Sequence, residues 1–210
     1  MHSNRCRALL TLVAIALHAA GCAGTAADRD EPAAARNVIL FIGDGMGVST
    51  VTATRIFDGQ SRGETGEENL LSFERFPELG LVKTYNVNQQ VPDSAGTATA
   101  MHTGTKTRAG VIGIGPEARR RDCEAARAVE LTTIADRVRG QGMDFGIVTT
   151  TRITHATPAA VYAHSPERDW ESDEFLRGRD RAAGCVDIAR QFVELPPELA
   201  PAITLGGGWR

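Results

Sequence analysis

The sequence predicts an α/β fold in three layers. A mainly parallel central sheet carries helices on both faces and is incomplete at its C-terminal end. Three observations lead there. Asn37–Ile42, NVILFI, is an unbroken apolar run with β-branched members, the pattern of a strand covered on both sides. It enters a turn with alternating glycines, Gly43-Asp44-Gly45-Met46-Gly47, and then a helical pattern from Val48 to Phe57. Further short apolar runs alternate with amphipathic stretches along the rest of the chain.

Taken in order, Asp58–Asn69 is polar and glycine-bearing, a surface loop, and Gly80–Tyr85 is a second short strand. A helix of small residues starts at Asp93 or Ser94. Gly110–Asp122 reads as an exposed excursion ending in the basic run Arg119–Arg121, a solvated face. Leu131–Arg139 is an amphipathic helix closed by Gly140 and Gly142, and Phe145–Thr149 a third strand. Thr150–Pro158 leaves that strand as a loop, with a helix from Pro158 to His164. Asp180–Phe192 is another amphipathic helix, and Ala202–Leu205 a fourth strand ending in Gly206–Gly208. In a parallel sheet the ligand crevice lies beyond the carboxyl ends of the strands, where Asp44, the Thr150–Pro158 loop and Gly206–Gly208 fall.

The 210 residues carry a formal net charge of -3, with basic residues scattered among acidic ones, so the chain has no nucleic-acid-binding signature. Residues 1–22 have the form of a signal peptide: Arg5 and Arg7, an apolar stretch Ala8–Leu17, then Ala19-Ala20-Gly21-Cys22. AAGC resembles a bacterial lipoprotein cleavage site, with Cys22 as the lipidated residue and membrane attachment through that lipid; ordinary cleavage nearby is the other reading. Residues 23–36 read as a flexible tether, leaving 37–210 as the folded part. The expected location is exported, periplasmic or cell-envelope. Outside the leader, Cys123 and Cys185 remain, and a disulfide is the simple reading in an oxidising compartment. A two-cysteine metal site competes with it, without a nearby His or further Cys in support.

The chemistry concentrates in Val91–Gly104, VPDSAGTATAMHTG. Asp93 or Ser94 can cap the helix, and its exposed first-turn N–H groups suit an anion. Ala, Gly and Thr bury little area but let backbone approach something small and charged. Asp44 among its glycines is a turn residue or a metal ligand; a dinucleotide fingerprint is weaker, because the spacing is wrong and a carboxylate repels pyrophosphate. His155 and Thr157 are two apart and point the same way in an extended segment. Arg168 is a surface charge or a bidentate clamp for phosphate.

Four motifs in order, IGDGMG, PDSAGTATA, TTRITHATPA and AHSPERDW, with a final LGGG, resemble the alkaline phosphatase family across essentially the whole segment from Asn37. The resemblance implies metal-dependent hydrolysis of phosphate monoesters through a phosphoserine intermediate, with Zn2+ and Mg2+ as cofactors and small monoesters as substrates. Ser94 would be the nucleophile and a zinc ligand, and Asp44 would bridge that zinc and a magnesium. Thr157 would be a magnesium ligand, His155 would stand behind that ion, and Arg168 would hold two phosphate oxygens. The Cys123–Cys185 pair is similar in placement to a disulfide of vertebrate-type members. The family's remaining zinc ligands are not found in this sequence. The chain is therefore expected to be an N-terminal portion that binds zinc poorly, is nearly inactive alone, folds marginally and leaves an exposed sheet edge. A homodimer of the full-length protein is a family expectation. The alternative is a non-catalytic envelope lipoprotein that binds phosphate or a protein partner; a sulfatase-like or phosphodiesterase relative ranks below both.

Overall fold

The computed structural model describes residues 37–208; the leader, Cys22 and the tether expected before them lie outside the described residues. The chain divides into two units, Met1–Ile42 and Gly43–Arg210. In the first, residues 37–42 form no regular element, contrary to the expected strand, and Val38, Ile39, Leu40 and Phe41 are exposed. Apolar patterning makes a strand only when a ladder partner takes up its backbone groups, and among the described residues these enter no ladder.

In the second unit, α1 (Val48–Ser61) is followed by a 3-10 turn at Ser72–Arg75. The strand expected at residues 80–85 is also absent, for the same lack of a partner, and Leu81 and Val82 stand in solvent. Next come α2 (Ser94–Thr103), α3 (Cys123–Arg127), α4 (Ile134–Arg139), β1 (Gly146–Arg152), α5 (Ala156–Ala159), α6 (Gly178–Ala182), α7 (Ile188–Val193) and β2 (Ile203–Gly207). β1 and β2 pair in parallel, Gly146 beside Ile203 and Val148 beside Leu205, with the register shifting before Arg152 meets Gly207. A parallel pair needs a long crossover, here the 50-residue stretch that holds α5 to α7.

The core explains why α2 is made of small residues. Ala95 and Ala98 of α2 meet Ala156, Ala159, Ala160 and Ala163 around α5, together with Ile112, Ile147 and Ile188. A methyl group on Gly96 would lie 2.7 Å from Asn86 Oδ1 and 2.8 Å from the Arg108 carbonyl, so only glycine allows this approach. Ile147 faces this core while Val148, on the other side of β1, is exposed. Among the described residues, one face of the β1–β2 pair is therefore covered and the other open, with Ile203 and Leu205 also exposed.

Residues 110–115 are buried, not an exposed excursion: Val111, Ile112 and Ile114 are fully enclosed, and Ile112 bridges to Ser165 through paired backbone hydrogen bonds of 2.8 Å. Glycine-rich composition suggests a loop, but here the glycines let the backbone pass through the core. Gly113 has φ +64°, and a Cβ there would sit 2.2 Å from the Ala163 carbonyl. The helix expected over 180–192 is broken into α6 and α7, because Gly184 turns left-handed at φ +73° and Cys185 is committed to a disulfide. That disulfide, Cys123–Cys185, has its Cα atoms 5.5 Å apart and packs with Trp170 and Leu176 in a separate buried cluster. It closes a loop of 62 residues, for which the chain-entropy model gives about 4 kcal/mol.

Gly113→Ala should cost about 3 kcal/mol in urea unfolding, since both strain and a backbone clash oppose it. His102, on the inner face of α2, is buried with neither ring nitrogen hydrogen-bonded among the described residues, and burial pushes its pKa below the usual 6.5. The unfolded chain therefore takes up a proton below about pH 6.5 that the native protein refuses. Stability should be full above that pH and fall as pH drops through the lowered native value. His102→Leu should flatten this acid-side loss in thermal melts recorded between neutral pH and pH ~5.

Candidate active site

The site is assembled around Asp93. It precedes α2 with extended backbone, and its Oδ1 accepts the Gly96 N–H at 3.1 Å, so Asp93 rather than Ser94 caps the helix. Oδ1 also accepts from Asn86 Nδ2 at 2.9 Å, while Oδ2 accepts from the Gly110 N–H at 2.8 Å and from Arg168 Nη1 at 3.2 Å. Ser94, the first residue of α2, is half-buried beside this junction. Among the described residues no imidazole or carboxylate is hydrogen-bonded to its hydroxyl, so there is no Ser-His-Asp relay.

Arg168 links the two halves of the site. Its Nη1 rests on Asp93, and its Nη2 lies 3.2 Å from His155 Nε2. Its own N–H donates to the Gly110 carbonyl at 2.9 Å, fixing the backbone that carries it. His155 leads into α5, one turn beyond the end of β1, and Thr157 is two residues on. Thr157 Oγ1 donates to Asp44 Oδ2 at 2.8 Å, and His155 Nδ1 lies 4.0 Å from the same oxygen. The structure thus brings Asp44, His155 and Thr157 together across more than 100 residues of chain. Burial, joined by the Arg168 charge, lowers the His155 pKa, so the ring is neutral at neutral pH.

His155 Nδ1 is buried without a hydrogen-bond partner while facing a carboxylate, a corner that suits a cation with its water shell. Magnesium is held by few carboxylates and keeps several waters, so the carboxylate of Asp44 and the hydroxyl of Thr157 fit it, with His155 behind. Zinc does not fit in the same way. Structural and catalytic zinc sites take at least three His, Cys or carboxylate ligands, and the described residues form no group of three or more that could hold a metal.

Sequence reading did not find the ring of polar groups that supports these residues. Arg152 grips Glu171, and Glu167, buried at 2 % exposure, receives Arg120 and Arg121. Burial alone would raise the Glu167 pKa, but the two guanidiniums outweigh it and the net shift is downward. Two of the three basic residues expected on a solvated face are therefore partners of a buried carboxylate. Such pairs lie 19 and about 46 residues apart, and no local spacing signals them.

An α/β scaffold here places a guanidinium, a helix-start serine and a carboxylate–hydroxyl corner in one region, groups suited to holding an oxyanion. The family model for alkaline phosphatase matches residues 35–210, and the chain belongs to the alkaline phosphatase family. It is 51% identical over 174 residues to the tissue-nonspecific alkaline phosphatase of Gallus gallus, which covers 83% of this chain and 33% of that protein. An alkaline phosphatase of Gadus morhua is 49% identical over 174 residues, with 83% and 36% covered. Among solved structures, the alkaline phosphatase of the Antarctic bacterium TAB5 aligns at a TM-score of 0.53 and 24% identity, over 81% of this chain and 53% of that one. A cold-active alkaline phosphatase from Shewanella sp. aligns at 0.53 and 26% identity, over 79% and 44%. The chain spans about one third of the length of these curated relatives.

Calorimetric titration with Mg2+ should show binding that Asp44→Asn abolishes and that Thr157→Val weakens by about tenfold. Equal binding in all three proteins would place the ion elsewhere.

Proposed function

We propose that this chain carries the nucleophile and phosphate-binding portion of an exported phosphomonoesterase. The observation that supports the reading best is the double role of Arg168, which touches the Asp93 junction beside Ser94 on one side and the His155 corner on the other. A phosphate ester seated there would present two non-bridging oxygens to the guanidinium, a bidentate grip that leaves the alcohol free. Ser94 Oγ would attack phosphorus as the ester oxygen departs, forming phosphoserine, and water would then cleave the new P–O bond to release inorganic phosphate. Held by Asp44 and Thr157, a magnesium ion would supply positive charge beside the transferring group. Positioning and charge stabilisation dominate phosphoryl transfer, and these are the tasks Arg168 and Asp93 can perform. Gripping phosphate and not alcohol, the site suits a broad range of small monoesters.

The Cys123–Cys185 disulfide supports an oxidising compartment, in keeping with export and lipid attachment at Cys22. No helix among the described residues is long and apolar enough to cross a membrane. A relative from Bombyx mori, 47% identical over 179 residues, is described as membrane-bound.

The test is hydrolysis of p-nitrophenyl phosphate with added Mg2+ and Zn2+, by this chain and by a protein of the relatives' length that carries it. Activity in the longer protein that Ser94→Ala lowers by at least about 10³-fold supports the reading. Inactivity of a folded, metallated longer protein would favour a non-catalytic phosphate-binding role.

A further inference from the structure

Glu171 lies between the two segments that supply His155 and Arg168. Its side chain is 6 % exposed. Oε2 accepts from Arg152 Nε at 2.7 Å and from Thr154 Oγ1 at 2.8 Å, and Oε1 accepts from Arg152 Nη2 at 2.8 Å. This is a fork-to-fork pair with a third donor, the geometry that fixes orientation as well as distance. The guanidinium is held more firmly protonated by the contact.

Both donors come from one turn. Arg152 ends β1, its carbonyl accepts the His155 N–H at 3.0 Å, and Thr154 immediately precedes His155. Glu171 therefore grips both ends of the turn that aims the imidazole. Its own backbone is fixed separately: the Trp170 carbonyl accepts from the Ile188 N–H at 2.8 Å, and the Glu171 carbonyl from the Ala189 N–H at 3.1 Å. Arg168 lies three residues earlier in the same anchored segment, against Gly110. The Glu171 brace and the 3.2 Å approach of His155 Nε2 to Arg168 Nη2 are thus two rungs between the same two pieces of chain.

A carboxylate this buried is costly to desolvate, and an apolar pair of similar volume would often be at least as stable. What an apolar pair would not supply is a directional lock on the turn. We propose that Glu171 is a positioning residue: it sets the separation of His155 and Arg168, and through it the orientation of the guanidinium toward an oxyanion. The proposal rests on the reading of Arg168 as the phosphate clamp.

The experiment uses the whole chain and the variants Glu171→Gln, Glu171→Asp and Thr154→Val. Histidine-ring 15N–1H spectra report the surroundings of His155, and calorimetry with inorganic phosphate reports the clamp. In Glu171→Gln the His155 ring signals should move while those of His102 and His164 stay, and phosphate binding should weaken about tenfold. Glu171→Asp should recover part of both effects, and Thr154→Val, nearly isosteric, should shift His155 by less in the same direction. A fall in melting temperature with His155 signals and phosphate affinity unchanged would make Glu171 structural only and overturn the proposal. Should Glu171→Gln fail to fold, Thr154→Val decides by the same ring signals. Absence of phosphate binding in the unaltered chain would count against the clamp reading of Arg168; the His155 signals then decide the brace alone, movement supporting it and stillness overturning it.

Discussion

One carboxylate holds the site together. Asp93 receives Asn86 and the Gly96 amide on one oxygen, and the Gly110 amide and Arg168 on the other. Four segments meet there: the approach to α2, α2 itself, the buried 110–115 stretch and, 75 residues away, the segment bearing Arg168. A helix cap alone contributes about 1 kcal/mol. A cap that also anchors a half-buried guanidinium and a core-threading glycine couples fold to chemistry, because Ser94 is the next residue.

Close packing of small residues makes that junction reachable. Alanines of α2 and α5 bring the helix start near the end of β1, and the glycines at 96, 110 and 113 remove the side chains that would hold the segments apart. Buried carboxylates held by partly exposed guanidiniums then help to fix the segments around the site. Glu167 with Arg120 and Arg121, and Glu171 with Arg152, tie the stretch before α3 and the end of β1 to the 165–171 segment. The same economy leaves apolar surface uncovered among the described residues, on Val148, Ile203 and Leu205.

The sequence made α2, the third and fourth strands, the cysteine pair and the meeting of Asp44, His155 and Thr157 legible, for different reasons. Capping and periodicity are local, so α2 and β1 could be read directly. The Asp44 corner spans 113 residues and was legible only through the motif resemblance. The strands expected at 37–42 and 80–85 were misread because a short apolar run says nothing about whether a ladder partner is at hand. Residues 110–115 were misread because glycine marks loops on average, while here it serves a backbone passing through the core; Arg119–Arg121 are exposed as expected, yet Arg120 and Arg121 also reach the buried Glu167. Asp93 was legible as a cap but not as a junction, since its other partners lie from 7 to 75 residues away.

The central claim is that Asp93 joins separate segments and is more than a local cap, and amide hydrogen exchange tests it most directly. Gly96 and Gly110 each donate to the Asp93 carboxylate although 14 residues separate them. In Asp93→Ala both amides should lose protection together, with Arg168 freed from its contact. Faster exchange at Gly96 alone, with Gly110 still protected, would show a simple helix cap and contradict the account.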